Sequence, residues 1–312
     1  MAADNFDDWI PEETDSAVIA RVQQVSAVER LGRHTPMGSD TKKVPRSSGM
    51  AVKTLPKSGD YEASNDENDD VLLTARKHTG MVTVAEEDLD DSAADIITQK
   101  ERDWATSYGK YFDNATLATT AAEATGSITA VPYTSVYYAL TQTNATTGYT
   151  ANDNIVGTVT AGSPSYEELS EVASRHEQSD YFDEADTVVI AHPVFKKALR
   201  EVMDDQGRPI FVQGQQGDSG TPDRLFDYPI AWSNGARLSA TASATPAGAP
   251  ILVVCNRQFL IVGDRSTVET QPIPAAMSTK DEANIKIRTR KGFGVGHEKA
   301  FAVLVDDGSA LS

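Results

Sequence analysis

A single cysteine, Cys255, stands in 312 residues, so no intrachain disulfide can form and a cysteine metal cluster is excluded. It lies inside the apolar run Ile251-Leu-Val-Val-Cys-Asn, which reads as a buried strand where a lone thiol serves as a small hydrophobe. No apolar run approaches the roughly 18 residues of a membrane span, so no transmembrane helix is expected. A basic start is also missing: Asp4, Asp7 and Asp8 occupy the place where a secretory signal would carry cations and then an apolar stretch, and export by that route is not expected. Cations are scarce overall, with 28 Lys and Arg against 46 Asp and Glu and a formal net charge of -18. Because affinity for phosphate comes from clustered Lys and Arg that release counterions, such a chain is expected to contain DNA rather than grip it.

Signatures of chemistry are missing too. The five histidines, His34, His78, His176, His192 and His297, have none of the short spacings that put two ligands on one helix face, so neither metal nor cofactor is expected. No Gly-x-Ser-x-Gly elbow occurs. Gly292-Phe-Gly-Val-Gly lacks the flanking strand and helix of a nucleotide loop and reads as a turn or bulge between strands. Glu86-Glu87 and Asp90-Asp91 fall where a helix N-terminus favours carboxylates, a structural use rather than acid/base catalysis. Asn114-Ala-Thr and Asn144-Ala-Thr fit a glycosylation triplet only as a by-product of Ala/Thr-rich composition. The chain is expected not to be an enzyme.

What is present is an ordinary globular mixture, 39% hydrophobic and 24% charged, long enough for one large core or two smaller ones. Val18, Ile19, Val22 and Val25 give a short amphipathic stretch in an otherwise polar start. From Lys42 the chain is polar up to Asn65-Asp-Glu-Asn-Asp-Asp, and Val71 to Val84 reads as one long strand, so a protruding hairpin with an acidic tip is expected. Leu89, Ala93, Ile96, Ile97, Trp104, Tyr108, Tyr111 and Phe112 mark a helix over about 86–118. Residues 115–162 read as loops and short strands.

Later segments are sharper. Ser163 or Ser165 caps a helix running to about Gln178, Thr187-Val-Val-Ile-Ala is a short buried strand, and a helix follows His192-Pro with Val194, Leu199 and Val202 inward. Strands are expected at Pro229-Ile-Ala-Trp, Ile251–Val254, Phe259-Leu-Ile-Val, Ile285-Lys-Ile-Arg-Thr-Arg and Ala300-Phe-Ala-Val-Leu-Val. The fold class is α+β.

The order of these segments resembles the Hong Kong 97-type major capsid proteins of tailed bacteriophages over most of the chain. The likeness is carried by Trp9-Ile-Pro-Glu-Glu with Val25-Ser-Ala-Val-Glu-Arg-Leu, by Val82-Thr-Val-Ala-Glu-Glu-Asp-Leu-Asp-Asp-Ser, and by Ala185-Asp-Thr-Val-Val-Ile-Ala-His-Pro-Val-Phe with Asp205-Gln-Gly-Arg-Pro. Leu225-Phe-Asp-Tyr-Pro-Ile-Ala-Trp and the closing Asn284-Ile-Lys-Ile-Arg-Thr-Arg to Ala300-Phe-Ala-Val-Leu complete it, with Asp227 where the family usually has glycine. The resemblance implies an N-terminal arm over 1–42, an extended loop over 43–80, a peripheral domain with a spine helix over 81–125 and 278–312, and an axial domain over 126–277.

It also implies a structural subunit of the virion, assembled in the host cytoplasm as pentamers and hexamers of an icosahedral shell around double-stranded DNA. A portal protein, with scaffolding and decoration proteins as optional partners, belongs to the same expectation; no membrane does. Some members of the family join a loop lysine to a neighbour's asparagine. Lys53 and Lys57 lie on the loop here, but residues 300–312 hold no asparagine, so no cross-link is expected. Contacts between subunits are expected to pair the acidic tip, Asp66, Glu67, Asp69 and Asp70, with the basic strand at Arg288, Arg290 and Lys291. An encapsulin-type compartment shares the fold. An acidic secreted or surface binding module, or a hydrolase, would not explain the arm and hairpin.

Overall fold

Runs of apolar residues with no polar alternation need cover on both faces, and Ile251–Asn256 and Phe301–Val305 obtain it as neighbouring antiparallel strands buried along their length. The computed structural model describes residues 25–47, 52–60, 69–85, 87, 96–124, 131–202, 224–273 and 282–308. Its helices are α1 (Ala27–Leu31), α2 (Ile96–Leu117), α3 (Val136–Leu140), α4 (Tyr166–Glu177) and α5 (Phe195–Glu201). Its strands are β1 (Arg33–Pro36), β2 (Thr41–Arg46), β3 (Asp69–Thr74), β4 (Arg76–Ala85), β5 (Ile155–Gly157), β6 (Thr187–Ala191), β7 (Arg224–Leu225), β8 (Tyr228–Trp232), β9 (Ile251–Asn256), β10 (Leu260–Ile273), β11 (Glu282–Val295) and β12 (Phe301–Val305).

A six-stranded mixed sheet has the order β5-β12-β9-β6-β8-β7. Side chains alternate across it: Val189, Leu252, Val254, Ala302 and Leu304 pack with Leu169, Val172, Phe195 and Leu199 of α4 and α5. Val188, Ile190, Val253, Cys255, Phe301 and Val303 face the other way into a core shared with Phe112, Leu117, Tyr133 and Leu140. A four-stranded sheet, β1-β10-β11-β4, joins that same core through Leu260, Val262 and Phe293. Helix α2 bridges the two, since Tyr108 and Phe112 reach the shared core while Trp104 lies against Gly80 of β4.

Local signals explain most helix ends. Ser165, not Ser163, caps α4: its hydroxyl accepts from Glu168 N, and Glu168 in turn accepts from Ser165 N at 2.6 Å, a reciprocal capping box. In α5 the buried residues are Phe195, Ala198 and Leu199, with Val202 packed against the same cluster, whereas Val194 precedes the helix at its cap position and is exposed. The first ten positions of the helix expected over 86–118 lie outside the described residues, save Glu87.

Two expectations are corrected by pairing. The stretch Val71–Val84 is two strands rather than one, broken at Ala75, whose N–H donates to Asp40 O at 2.8 Å; β3 pairs with β2, and β4 pairs with β11 in another sheet. Gly292-Phe-Gly-Val is no turn but the end of β11, which runs on to Val295. A Cβ on Gly294 would sit 2.6 Å from Leu73 Cδ2, and one on Gly263 would collide with Met37 Sδ, so these glycines form the floor on which the β2–β3 hairpin rests. Strand β12, within the segment 278–312, belongs to the six-stranded sheet, and β10, within 126–277, belongs to the four-stranded one.

Candidate assembly surfaces

The hairpin expected from its polar tip does pair: β2 and β3 run antiparallel from Thr41↔Thr74 to Arg46↔Asp69. Pro45 is tolerated because β2 is an edge strand and needs no second ladder. At the loop-side end of the ladder, Arg46 donates to the Asp69 carboxylate and, through Nη1, to Gly296 O at 3.2 Å, which seats this end on the body. Glu298 lies 3.5 Å from the same guanidinium and accepts from Asn144 Nδ2 at 2.8 Å. Next to it, His297 stacks on Tyr181 with centroids 3.9 Å apart, and burial pushes its pKa down to about 4, so it adds no second cation beside Arg46.

Lys53 and Lys57 are exposed on the hairpin segment 52–60. Asp66 and Glu67 lie outside the described residues. Asp69 and Asp70 are not at a tip but in β3, where Arg46 and Lys43 of the same chain engage them, Lys43 at 2.6 Å from Asp70.

The basic strand presents one solvated face, as its alternation requires. Ile285, Ile287 and Thr289 are buried while Lys286, Arg288 and Arg290 are exposed. Arg288 pairs with Glu269 at 2.8 Å, and Arg290 lies 3.6 Å from Asp40. Lys291 is next on the inward-facing side of the alternation: its side chain is only 15% exposed and turns to Asp264 at 2.7 Å and Glu29 at 3.0 Å. Arg265 of β10 is exposed on the outer rim, donating to Gly38 O at 2.6 Å. The ladder with β11 slips between Asp264 and Glu269, around Arg265 and Ser266, and the Asp-Arg-Ser interruption of the strand is the sign of it in the sequence. Arg265, Ser266, Glu269, Arg288 and Arg290 line an open cleft of about 340 Å³.

A third assembly of side chains was not foreseen. Asp113, fully buried at the C-terminal end of α2, accepts from Ser26 Oγ and Ser233 Oγ at 2.5 Å each, from Ala27 N at 2.9 Å and from Val28 N at 3.1 Å. Burial raises its pKa, and the four donors pull it back part of the way. Beside it, Asn114 donates to Gly235 O and Arg237 O and accepts from Ser243 N, so this residue of a glycosylation triplet is enclosed. These bonds fasten α1 and the loops after β8 to one helix.

The remaining titratable groups are set by burial. His78 donates to or accepts from Tyr133 Oη at 2.7 Å, His176 meets Thr187 Oγ1 at 3.1 Å, and burial lowers both pKa values to about 4. The Cys255 thiol is pushed up to about 12 by burial, so it carries no thiolate at neutral pH. Among the described residues, no three His, Cys, Asp or Glu side chains converge as metal ligands, and no helix is long and apolar enough to cross a membrane.

Comparison with known proteins places this architecture. Solved structures similar to the chain include a shell described as "Capsid of native GTA particle computed with C5 symmetry", with a TM-score of 0.71 at 14% identity over 96% of both chains. A chain of Mycobacterium phage Bobi has a TM-score of 0.71 at 16% identity over 97% of both chains. One of Microbacterium phage Oxtober96 has 0.67 at 17% identity over 96% of this chain and 97% of its own. No curated protein matches the sequence. The fold is thus the Hong Kong 97-type capsid fold. The sequence profile described as the phage capsid family matches residues 7–306, and the chain therefore belongs to the phage capsid family, as a subunit of the phage head shell.

Proposed function

We propose that this subunit works by assembly alone, with no catalytic step, and that electrostatic contacts between copies guide it. The observation that carries this reading is the cleft at Arg265, Arg288 and Arg290, a locally cationic face on a chain of net charge -18. Asp66 and Glu67 of the hairpin on a second copy are its proposed occupants, with Lys53 and Lys57 as further proposed contacts between copies. Asp69, Asp70 and Lys291 take part as supports; Arg288, Arg290 and Arg265 already pair with Glu269 and Asp40 at the exposed surface, and the second copy's carboxylates would share these cations. Each exposed pair contributes about 0.2–1 kcal/mol, and symmetry repeats it at every equivalent interface.

In this reading residues 1–42 form the arm, 43–80 the extended loop, 81–125 with 278–312 the peripheral domain, and 126–277 the axial domain. The subunits form pentamers and hexamers without covalent cross-links, in a shell built in the host cytoplasm and completed by a portal protein, with scaffolding and decoration proteins as optional partners. Kinship with phage capsids favours DNA as the content over the cargo enzymes of an encapsulin. Assembly followed by light scattering, with electron microscopy of the product, tests the proposal. Hollow particles of uniform diameter are expected, forming more slowly as salt rises and more slowly still with Arg288→Glu and Arg290→Glu together. Salt-independent assembly that the double variant leaves unchanged would overturn the electrostatic contact. Detergent-boiled shells are expected to run as monomer; a ladder of multimers would refute the absence of cross-links.

A further inference from the structure

His34 is the second residue of β1, the strand that follows α1, and both of its ring nitrogens face acceptors. Nδ1 lies 2.7 Å from Asp264 Oδ2, and Nε2 lies 2.6 Å from Glu29 O. A neutral imidazole has one N–H and can satisfy only one of them; the imidazolium satisfies both. Neither acceptor can supply the missing hydrogen, since one is a backbone carbonyl and the other a carboxylate already receiving Lys291 through Oδ1 at 2.7 Å. We infer that His34 is a proton-controlled clasp, holding the start of the described chain, α1 and β1, on the four-stranded sheet when charged and loosening it when neutral.

The titratable and charged groups around the ring come from several elements, of which Glu29, Asp264 and Lys291 act on it. From β10 come Asp264 and Arg265, from α1 Glu29 and Arg30, from β11 Lys291, from β1 itself Arg33, and from α2 Tyr108, whose hydroxyl is 3.4 Å from Glu29 Oε1. Lys291 is the one cation in direct contact with the shared carboxylate, and Asp264 spans it and His34 as a bridge. The His34 side chain is 42% exposed, so protons reach it without unfolding. Burial lowers its pKa, but the bond to Glu29 O and the Asp264 carboxylate raise it further, to a net value above 6.5. With a raised folded pKa, the clasp is fully closed below 6.5 and opens as pH rises through the folded value.

The clasp bears on assembly because it lies at the start of the described chain, where α1 and β1 meet the four-stranded sheet, beside the Asp113 bonds that do not depend on it. Hydrogen–deuterium exchange at the histidine Cε1–H and at backbone amides, both read by mass spectrometry on the full-length protein, tests it. His34 is expected to titrate above 6.5, with His78 and His176 as buried references. Backbone protection of residues 27–36, corrected for intrinsic exchange, is expected to fall about tenfold through the same midpoint. His34→Gln is expected to abolish that step and leave protection of β9 and β12 unchanged. A midpoint at or below 6.5, or a step that persists in His34→Gln, would overturn the clasp.

Discussion

Ser26 and Asp113, 87 positions apart, meet through a 2.5 Å hydrogen bond in which the Ser26 hydroxyl also accepts from Glu29 N. One side chain thus caps α1 and ties it to α2. A short helix of five residues is unstable alone, and this carboxylate gives it a fixed seat.

Removing that seat should be expensive. Asp113→Ala strands two hydroxyls and two backbone N–H groups in a buried site, and bonds to a charged group contribute about 1.5–3 kcal/mol each while coupling strongly. A loss of about 3 kcal/mol is expected from urea unfolding of the disassembled subunit. A loss below about 1 kcal/mol would show that α1 holds without it.

The loop-side end of the hairpin ladder offers a local test. Arg46→Met keeps the bulk of the side chain but leaves Asp69 and Glu298 without their cation. Exchange protection of β2 and β3 is expected to drop about tenfold while β9 stays protected. Equal loss in both would mean that Arg46 supports the whole fold rather than the hairpin.

Acid should destabilise the subunit through its buried histidines. His78 and His176 have pKa values lowered to about 4, against 6.5 when unfolded, so unfolding takes up protons between those limits and stability is lost as pH falls from 6.5 towards 4. Each proton is worth up to about 1.4 kcal/mol per pH unit. Urea midpoints at pH 7 and pH 5 check the sign; equal midpoints, or a higher one at pH 5, would contradict it. This trend is opposite to that of the His34 clasp, which strengthens on acidification.

Cys255 should be silent. Fully buried in β9 with its pKa pushed to about 12, it is expected to show no reaction with a thiol reagent at pH 8 in the native protein and one equivalent per chain in denaturant. Rapid native labelling would mean that the central sheet opens.

Amino-acid order by itself determined the elements whose signals are local. The uninterrupted runs at 251–256 and 301–305 required two covered faces, Ser165 and Glu168 carried their own cap, and Ile285 and Ile287 announced the buried side of a strand whose cations face outward. What local order lacked was the identity of the covering surface. The stretch 71–84 reads as one strand, yet Asp40 takes the N–H of Ala75 and it is divided between two sheets. Gly292 and Gly294 look like part of a turn but are strand, because Met37 and Leu73 occupy the space their side chains would fill. Lys291 lies on the inward side of its strand, as alternation dictates, but only packing supplies the Asp264 and Glu29 carboxylates that make an enclosed cation tolerable there. Periodicity fixes which face of an element is apolar; only packing between distant segments decides what lies against that face, and which polar groups are enclosed with it.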